Sequence, residues 1–116
     1  MADVEIWHNP DCSKSRATLA LLEGRVSTDR IMIIRYRDTP PSVARLRSVL
    51  QLIGTDAASF IRRGEPLFDA LGLEDADERT LIDAMCLHPE LMERPVVITD
   101  RGARIGRPPE RVLEIL

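Results

Sequence analysis

Cys12, His8 and a set of arginines are the residues of this chain whose types and spacing can do chemistry. Cys12 stands in Trp7-His8-Asn9-Pro10-Asp11-Cys12-Ser13-Lys14-Ser15-Arg16, after a short apolar segment from Val4 and before a helical pattern closed by Gly24. A cysteine at a strand-to-helix turn meets the free N–H groups and the positive dipole end of the helix, which favour a thiolate and a bound anion. An ordinary thiol titrates near ~8.5, and a helix mouth or a neighbouring cation lowers that to roughly 3.5–7.5. Ser13, Lys14 and Ser15 supply backbone donors, and Ser15 is a candidate substrate-binding residue. His8 either stabilises the thiolate as an imidazolium or hydrogen-bonds within the turn. Asp11 opposes thiolate and oxyanion alike unless it turns away to cap the helix.

The second cysteine reads differently. Leu81, Ile82, Met85 and Cys86 share one helix face, which makes Cys86 a core residue. Position 15 is serine where a dithiol motif would carry its second sulfur, so turnover at Cys12 calls for an external thiol such as glutathione and then a disulfide reductase. A zinc site built from His8, Cys12, Cys86 and His88 does not fit the usual ligand spacings, and no metal is expected. Arg62 and Arg63 end a helical piece, Arg94 precedes a strand at Pro95, and Arg107 follows Gly106 ahead of a helix. Each alone reads as a solvated charge. Together they sit at element boundaries, where guanidinium forks can converge on a tetrahedral oxyanion.

The elements that must position these groups follow from periodicity. Val4–Trp7 alternates as a strand, and the helix after Cys12 repeats apolar residues at Ala17, Ala20 and Leu21. Ile31-Met32-Ile33-Ile34 is a continuous apolar run, expected to be a strand buried on both faces of a parallel pair. Strand, helix and strand form a right-handed βαβ unit. Thr39-Pro40-Pro41-Ser42 breaks the chain, with Ser42 as an N-cap. Residues 42–93 show no strand pattern. Val43, Leu46, Val49, Leu50 and Ile53 mark a helix ended by Gly54, and shorter helical pieces follow near 56–63, 66–71 and 78–87. Pro95–Thr99 and Ala103–Ile105 flank an Asp100-Arg101-Gly102 turn, and a helix from Pro108 places Val112, Leu113 and Leu116 on one face. The order describes an α/β, thioredoxin-like fold: a four-stranded mixed sheet in one domain, 1–116, with a helical insertion at about 42–93.

At 116 residues, 44% apolar and 30% charged, the chain reads as an ordinary globular protein. A net charge of −3 and 3% aromatic content argue against nucleic-acid and anionic-membrane binding. No leader pattern or membrane-length apolar run is visible, and a cytoplasmic, reducing location is expected.

Three stretches together resemble the glutaredoxin-coupled arsenate reductases, the ArsC family, and within it the YfgD-like subgroup. They are His8-Asn9-Pro10-x-Cys12-Ser13-Lys14-Ser15-Arg16, Leu91-Met92-Glu93-Arg94-Pro95-Val96-Val97 and Arg104-Ile105-Gly106-Arg107-Pro108. The resemblance spans nearly the whole chain. It implies a thioredoxin-like fold, Cys12 as nucleophile and His8 as the histidine favouring its thiolate. Arg94 and Arg107 would be two of three arsenate-binding arginines, with Arg62, or alternatively Arg63, as the third. It further implies a cis proline at Pro95, no bound cofactor, glutathione as co-substrate and glutaredoxin as partner. In the implied cycle Cys12 attacks arsenate, glutathione reduces the adduct and becomes attached to Cys12, and glutaredoxin removes it. Asp11 departs from the family, which often has a neutral or basic residue there. Two other readings stand beside this one. One is a non-enzymatic Spx-like regulator binding RNA polymerase, whose usual Cys-x-x-Cys the chain lacks; the other is a monothiol reductase of another substrate.

Overall fold

The computed structural model describes residues 3–116. They divide into two units, one formed by the described residues up to Thr39 together with Arg94–Leu116, the other by Pro40–Glu93.

The first unit is built on a sheet of order β2-β1-β3-β4, with β1 Val4–Trp7, β2 Ile31–Ile34, β3 Val96–Thr99 and β4 Gly102–Ile105. β1 pairs parallel to β2 and antiparallel to β3, and β3 pairs antiparallel to β4. The β1–β2 crossover runs through α1, Ser13–Glu23, and a 3-10 helix at Pro109–Ile115 closes the unit. Val4, Ile6 and Val97 point to one sheet face, where Leu22 of α1 and Val112 and Ile115 of the 3-10 helix bury against them. Burying each such side chain stabilises the fold by roughly 1.5–3 kcal/mol. Gly102 takes φ 135°, which suits it to the tight β3–β4 turn. These elements give the chain its thioredoxin-like, mixed α/β architecture.

Three expectations need correction here. β2 is an edge strand rather than one buried on both faces: Met32 and Ile33 are each 47% exposed. A continuous apolar run suits a strand but does not say whether a second layer covers it. On α1 the buried stripe is Ser15, Thr18 and Leu22, while Ala17 and Ala20 are exposed. Small polar residues can occupy that face because their hydroxyls find partners, Thr18 Oγ1 donating to Lys14 O at 2.8 Å. The last helix is 3-10, not α, so its buried pair is Val112 and Ile115, spaced by three, while Leu113 and Leu116 are half-buried.

The second unit is helical: α2 Val43–Ile53, α3 Ala57–Phe60, α4 Pro66–Ala70, α5 Glu78–Leu87 and a 3-10 turn at Pro89–Leu91. Its helix starts are capped by side chains. Ser42, Asp56 and Asp77 accept from the N–H groups of Arg45, Ser59 and Thr80. Both carboxylate oxygens of Glu78 also accept from Ala57 N–H, at 3.1 and 3.0 Å. Gly54 ends α2 at φ 85°. Leu46, Val49 and Leu50 of α2 and Leu81, Ile82, Ala84 and Met85 of α5 are buried. Cys86 is half-buried at the margin of that stripe instead of within the core, and burial followed by the Asp83 carboxylate pushes its thiol up. α3 stops at Phe60, so Arg62 and Arg63 lie beyond the helix; Ile61 is extended and forms an isolated antiparallel bridge with Met92. Among the described residues no helix is long and apolar enough to cross a membrane.

Candidate active site at the mouth of α1

β1 ends at Trp7, and the next five residues form the turn that delivers Cys12 to the N-cap of α1. Asn9 shapes this turn twice. Its carbonyl accepts from Cys12 N–H at 3.0 Å, and its Oδ1 accepts from Asp11 N–H at 3.0 Å. Arg16 donates to Pro10 O at 2.9 Å from the other side. Asp11 is exposed and does not cap the helix; that position belongs to Cys12.

Cys12 is 8% exposed. Burial alone pushes its pKa up. The backbone N–H of Ser15, the Arg94 guanidinium and the backbone N–H of Lys14 oppose that and win, so the thiol is more acidic than an ordinary cysteine. No cap hydrogen bond of normal geometry closes on the side chain. The Lys14 and Ser15 N–H groups, at the second and third helical positions, still stabilise the charged sulfur together with the helix-end field.

His8 and Ser15 are both buried, with Ser15 fully so. His8 Nδ1 lies 2.7 Å from Ser15 Oγ, and the same oxygen accepts from Asn9 N–H at 2.9 Å. Having accepted from Asn9, the hydroxyl is free to donate its proton to an unprotonated Nδ1. Burial lowers the His8 pKa, and the cations of Arg35 and Arg16 lower it further against a smaller opposing effect of Glu23. Of the two roles open for His8, the structure therefore favours hydrogen bonding within the turn over a standing imidazolium. Ser15 presents its backbone N–H to the sulfur, while its hydroxyl is spent on the loop.

Arg94 is half-buried beside Cys12, and Arg107 Nη1 reaches within 3.5 Å of Arg94 O. Both arginines immediately precede prolines in cis peptide bonds, Arg94–Pro95 and Arg107–Pro108. Gly106 fits between them because nothing larger would: a Cβ there would lie 2.5 Å from Thr18 Oγ1 and 2.9 Å from Pro95 Cγ. The first unit thus brings together Cys12, His8, Ser15, Arg94 and Arg107. Arg62 and Arg63 belong to the second unit. Arg62 pairs with Glu65 at 3.1 Å and donates to Glu90 O at 3.3 Å. Arg63 donates to Ala58 O at 3.3 Å and stacks 5.2 Å from the Phe68 ring centroid. Among the described residues no group of three or more His, Cys, Asp or Glu side chains is gathered to hold a metal ion.

Motif reading missed Asn9, Thr18 and Arg35 as parts of this site. Arg35 had a usable signal. In a βαβ unit the segments following two adjacent parallel strands emerge at the same end, and His8 N–H indeed donates to Ile34 O at 2.8 Å. Thr18, one turn after Lys14 on α1, carried no such signal.

Residues 7–115 match the ArsC family. The chain is 47% identical, over 97% of its length and 96% of the other, to "Uncharacterized protein YfgD" of Escherichia coli strain K12. It is 43% identical to an arsenate reductase of Haemophilus influenzae, covering 97% of this chain and 98% of that one. Among solved structures, an arsenate reductase from Vibrio cholerae superposes with a TM-score of 0.92 at 45% identity, covering both chains in full. Motifs, sheet order and these full-length likenesses agree: the chain belongs to the ArsC family.

Proposed function

We propose that the protein reduces arsenate to arsenite with glutathione and glutaredoxin, using Cys12 as its nucleophile. The observation that carries this reading is a thiol held acidic by helix-mouth N–H groups and the Arg94 guanidinium. Arg94 and Arg107 are two of the oxyanion's ligands; for the third, Arg62 or alternatively Arg63, the family resemblance alone is the support. The Cys12 thiolate attacks arsenic, a protonated oxygen departs as water, and an S–As(V) bond forms. A glutathione thiolate then attacks Cys12 Sγ. The S–As electron pair passes to arsenic, which leaves as arsenite, and Cys12 is left joined to glutathione by a disulfide. A glutaredoxin thiol attacks the glutathione sulfur and returns the Cys12 thiolate. Overall, two thiols become one disulfide and As(V) gains two electrons. Phosphate fits the same donors, so discrimination rests on chemistry: phosphorus(V) is not reduced by thiols.

A coupled assay of arsenate-dependent NADPH oxidation with glutathione, glutaredoxin and glutathione reductase tests the reading. Turnover by the wild type and none by Cys12→Ser is expected, with a glutathione adduct on Cys12 seen by mass spectrometry. Full activity in Cys12→Ser refutes the nucleophile, and an inactive wild type refutes the substrate.

A further inference from the structure

A cleft of about 370 Å³ opens beside the nucleophile's turn, between Asn9–Asp11 on one side and Arg35, Arg37 and Asp38 on the other. That volume suits a small molecule. Parallel pairing of β1 and β2 brings the two walls together, and Asp11 immediately precedes Cys12. The walls carry two guanidinium groups and two carboxylates. Among the described residues neither Arg35 nor Arg37 is tied into an ion pair with a carboxylate. Arg16, by contrast, is engaged with Pro10 O. Buried His8 lines the same cleft, and the Arg35 charge is one of the causes that lower its pKa.

This charge pattern selects its occupant. A second tetrahedral oxyanion would meet Asp11 and Asp38 as well as the arginines, and a polyanion would fare worse. A simple carboxylate would leave both acids unanswered. A group carrying a carboxylate and an ammonium on one carbon answers both signs at once. We propose that this cleft receives the γ-glutamyl end of the reducing tripeptide thiol, its carboxylate on Arg35 and Arg37 and its ammonium on Asp11 and Asp38. Cys12 follows Asp11 in the same turn but does not line the cleft, so the flexible γ-glutamyl arm is what must span from the bound head to the Cys12 sulfur. Asp11, which opposes oxyanion binding, thereby gains a use: it recognises the reductant. The inference rests on the reading under Proposed function and names the docking place of its co-substrate.

Single turnovers with arsenate, followed as the mixed disulfide on Cys12 by mass spectrometry, read the thiol concentration for half-maximal rate. Arg37→Gln and Asp11→Asn should each raise that concentration about fivefold for glutathione and for γ-glutamylcysteine, the size expected of one solvent-exposed ion pair. Cysteinylglycine and 2-mercaptoethanol, which lack the γ-glutamyl head, should show the same concentration dependence with all three proteins, even where Asp11→Asn changes the limiting rate through its effect on the neighbouring Cys12. Equal glutathione dependence in all forms, or the same penalty with cysteinylglycine, overturns the proposal. Should the wild type form no arsenate-dependent adduct, the arsenate reading fails and a second measurement decides the cleft. S-methylglutathione, which cannot react, should bind the wild type more tightly than Arg37→Gln by titration calorimetry; equal binding overturns the inference.

Discussion

Replacing Arg94 by glutamine removes a hydrogen-bond donor and a full positive charge from beside Cys12. A hydrogen bond to a charged group is worth about 1.5–3 kcal/mol. At ~1.4 kcal/mol per decade, its loss lowers the thiolate-to-thiol ratio roughly 10- to 150-fold. Reactivity falls less than that, because a less acidic thiol is a better nucleophile, with a Brønsted slope of about 0.4–0.5. Below both titration midpoints the variant should therefore exchange with a small disulfide roughly 4- to 15-fold more slowly than the wild type. Above both midpoints it should be faster, by about 3- to 10-fold. The assay is the pH dependence of thiolate exchange with dithiodipyridine, run in a Cys86→Ala background. Cys86 is half-buried and its pKa is raised, so it would otherwise contribute at alkaline pH. Crossing rate profiles are the signature of a lost charge. An unmoved midpoint would refute the role given to Arg94, and uniform slowing at every pH would mean altered access to the sulfur instead. Arg94→Lys should lie between the two, since an ammonium keeps the charge and loses the fork.

Ser15→Ala leaves Asn9 N–H and His8 Nδ1 without the hydroxyl that joins them, and should cost about 1–3 kcal/mol of stability in urea melts. Gly106→Ala forces a methyl against Thr18 and Pro95 and should destabilise by roughly 1–3 kcal/mol; an unchanged urea midpoint would mean that Thr18 yields freely. His8 has a folded-state pKa below its unfolded value of 6.5, so the unfolded chain binds its proton first. Its stabilising contribution is complete above about pH 6.5 and is lost as pH falls through the folded value. Thermal melts between pH 8 and 5 should show a steeper decline for the wild type than for His8→Asn. Parallel curves would contradict the depressed titration.

Local spacing was a sound guide wherever the interaction itself is local. Cys12 at a helix start, Ser42 as a cap, Gly54 at a helix end and Gly102 in a hairpin depend on neighbours within a few residues, and each was legible in the chain. Layering was not. The Ile31–Ile34 run marks a strand, but its exposed Met32 and Ile33 reflect an edge position decided by distant β3 and β4. Hydroxyl-bearing Ser15 and Thr18 hid the buried face of α1, because their satisfaction depends on His8, Asn9 and the helix carbonyls. Arg94 and Arg107 stood out by their places at element boundaries and then through the family resemblance; their closeness to Cys12 and to each other comes from strands folded side by side. The imidazolium option for His8 stayed open in sequence because burial and the Arg35 charge are tertiary facts.

Two of the three groups that acidify Cys12 are main-chain amides, those of Ser15 and Lys14. A peptide N–H is supplied by any residue except proline. Reactivity at this cysteine is thus written partly in the course of the backbone and not in the lettering of the helix's first turn. Substituting the exposed Ser13 and Lys14 side chains leaves the sulfur's amide partners in place, provided the helix still begins there. Such a loop can vary its surface while the cysteine stays acidic.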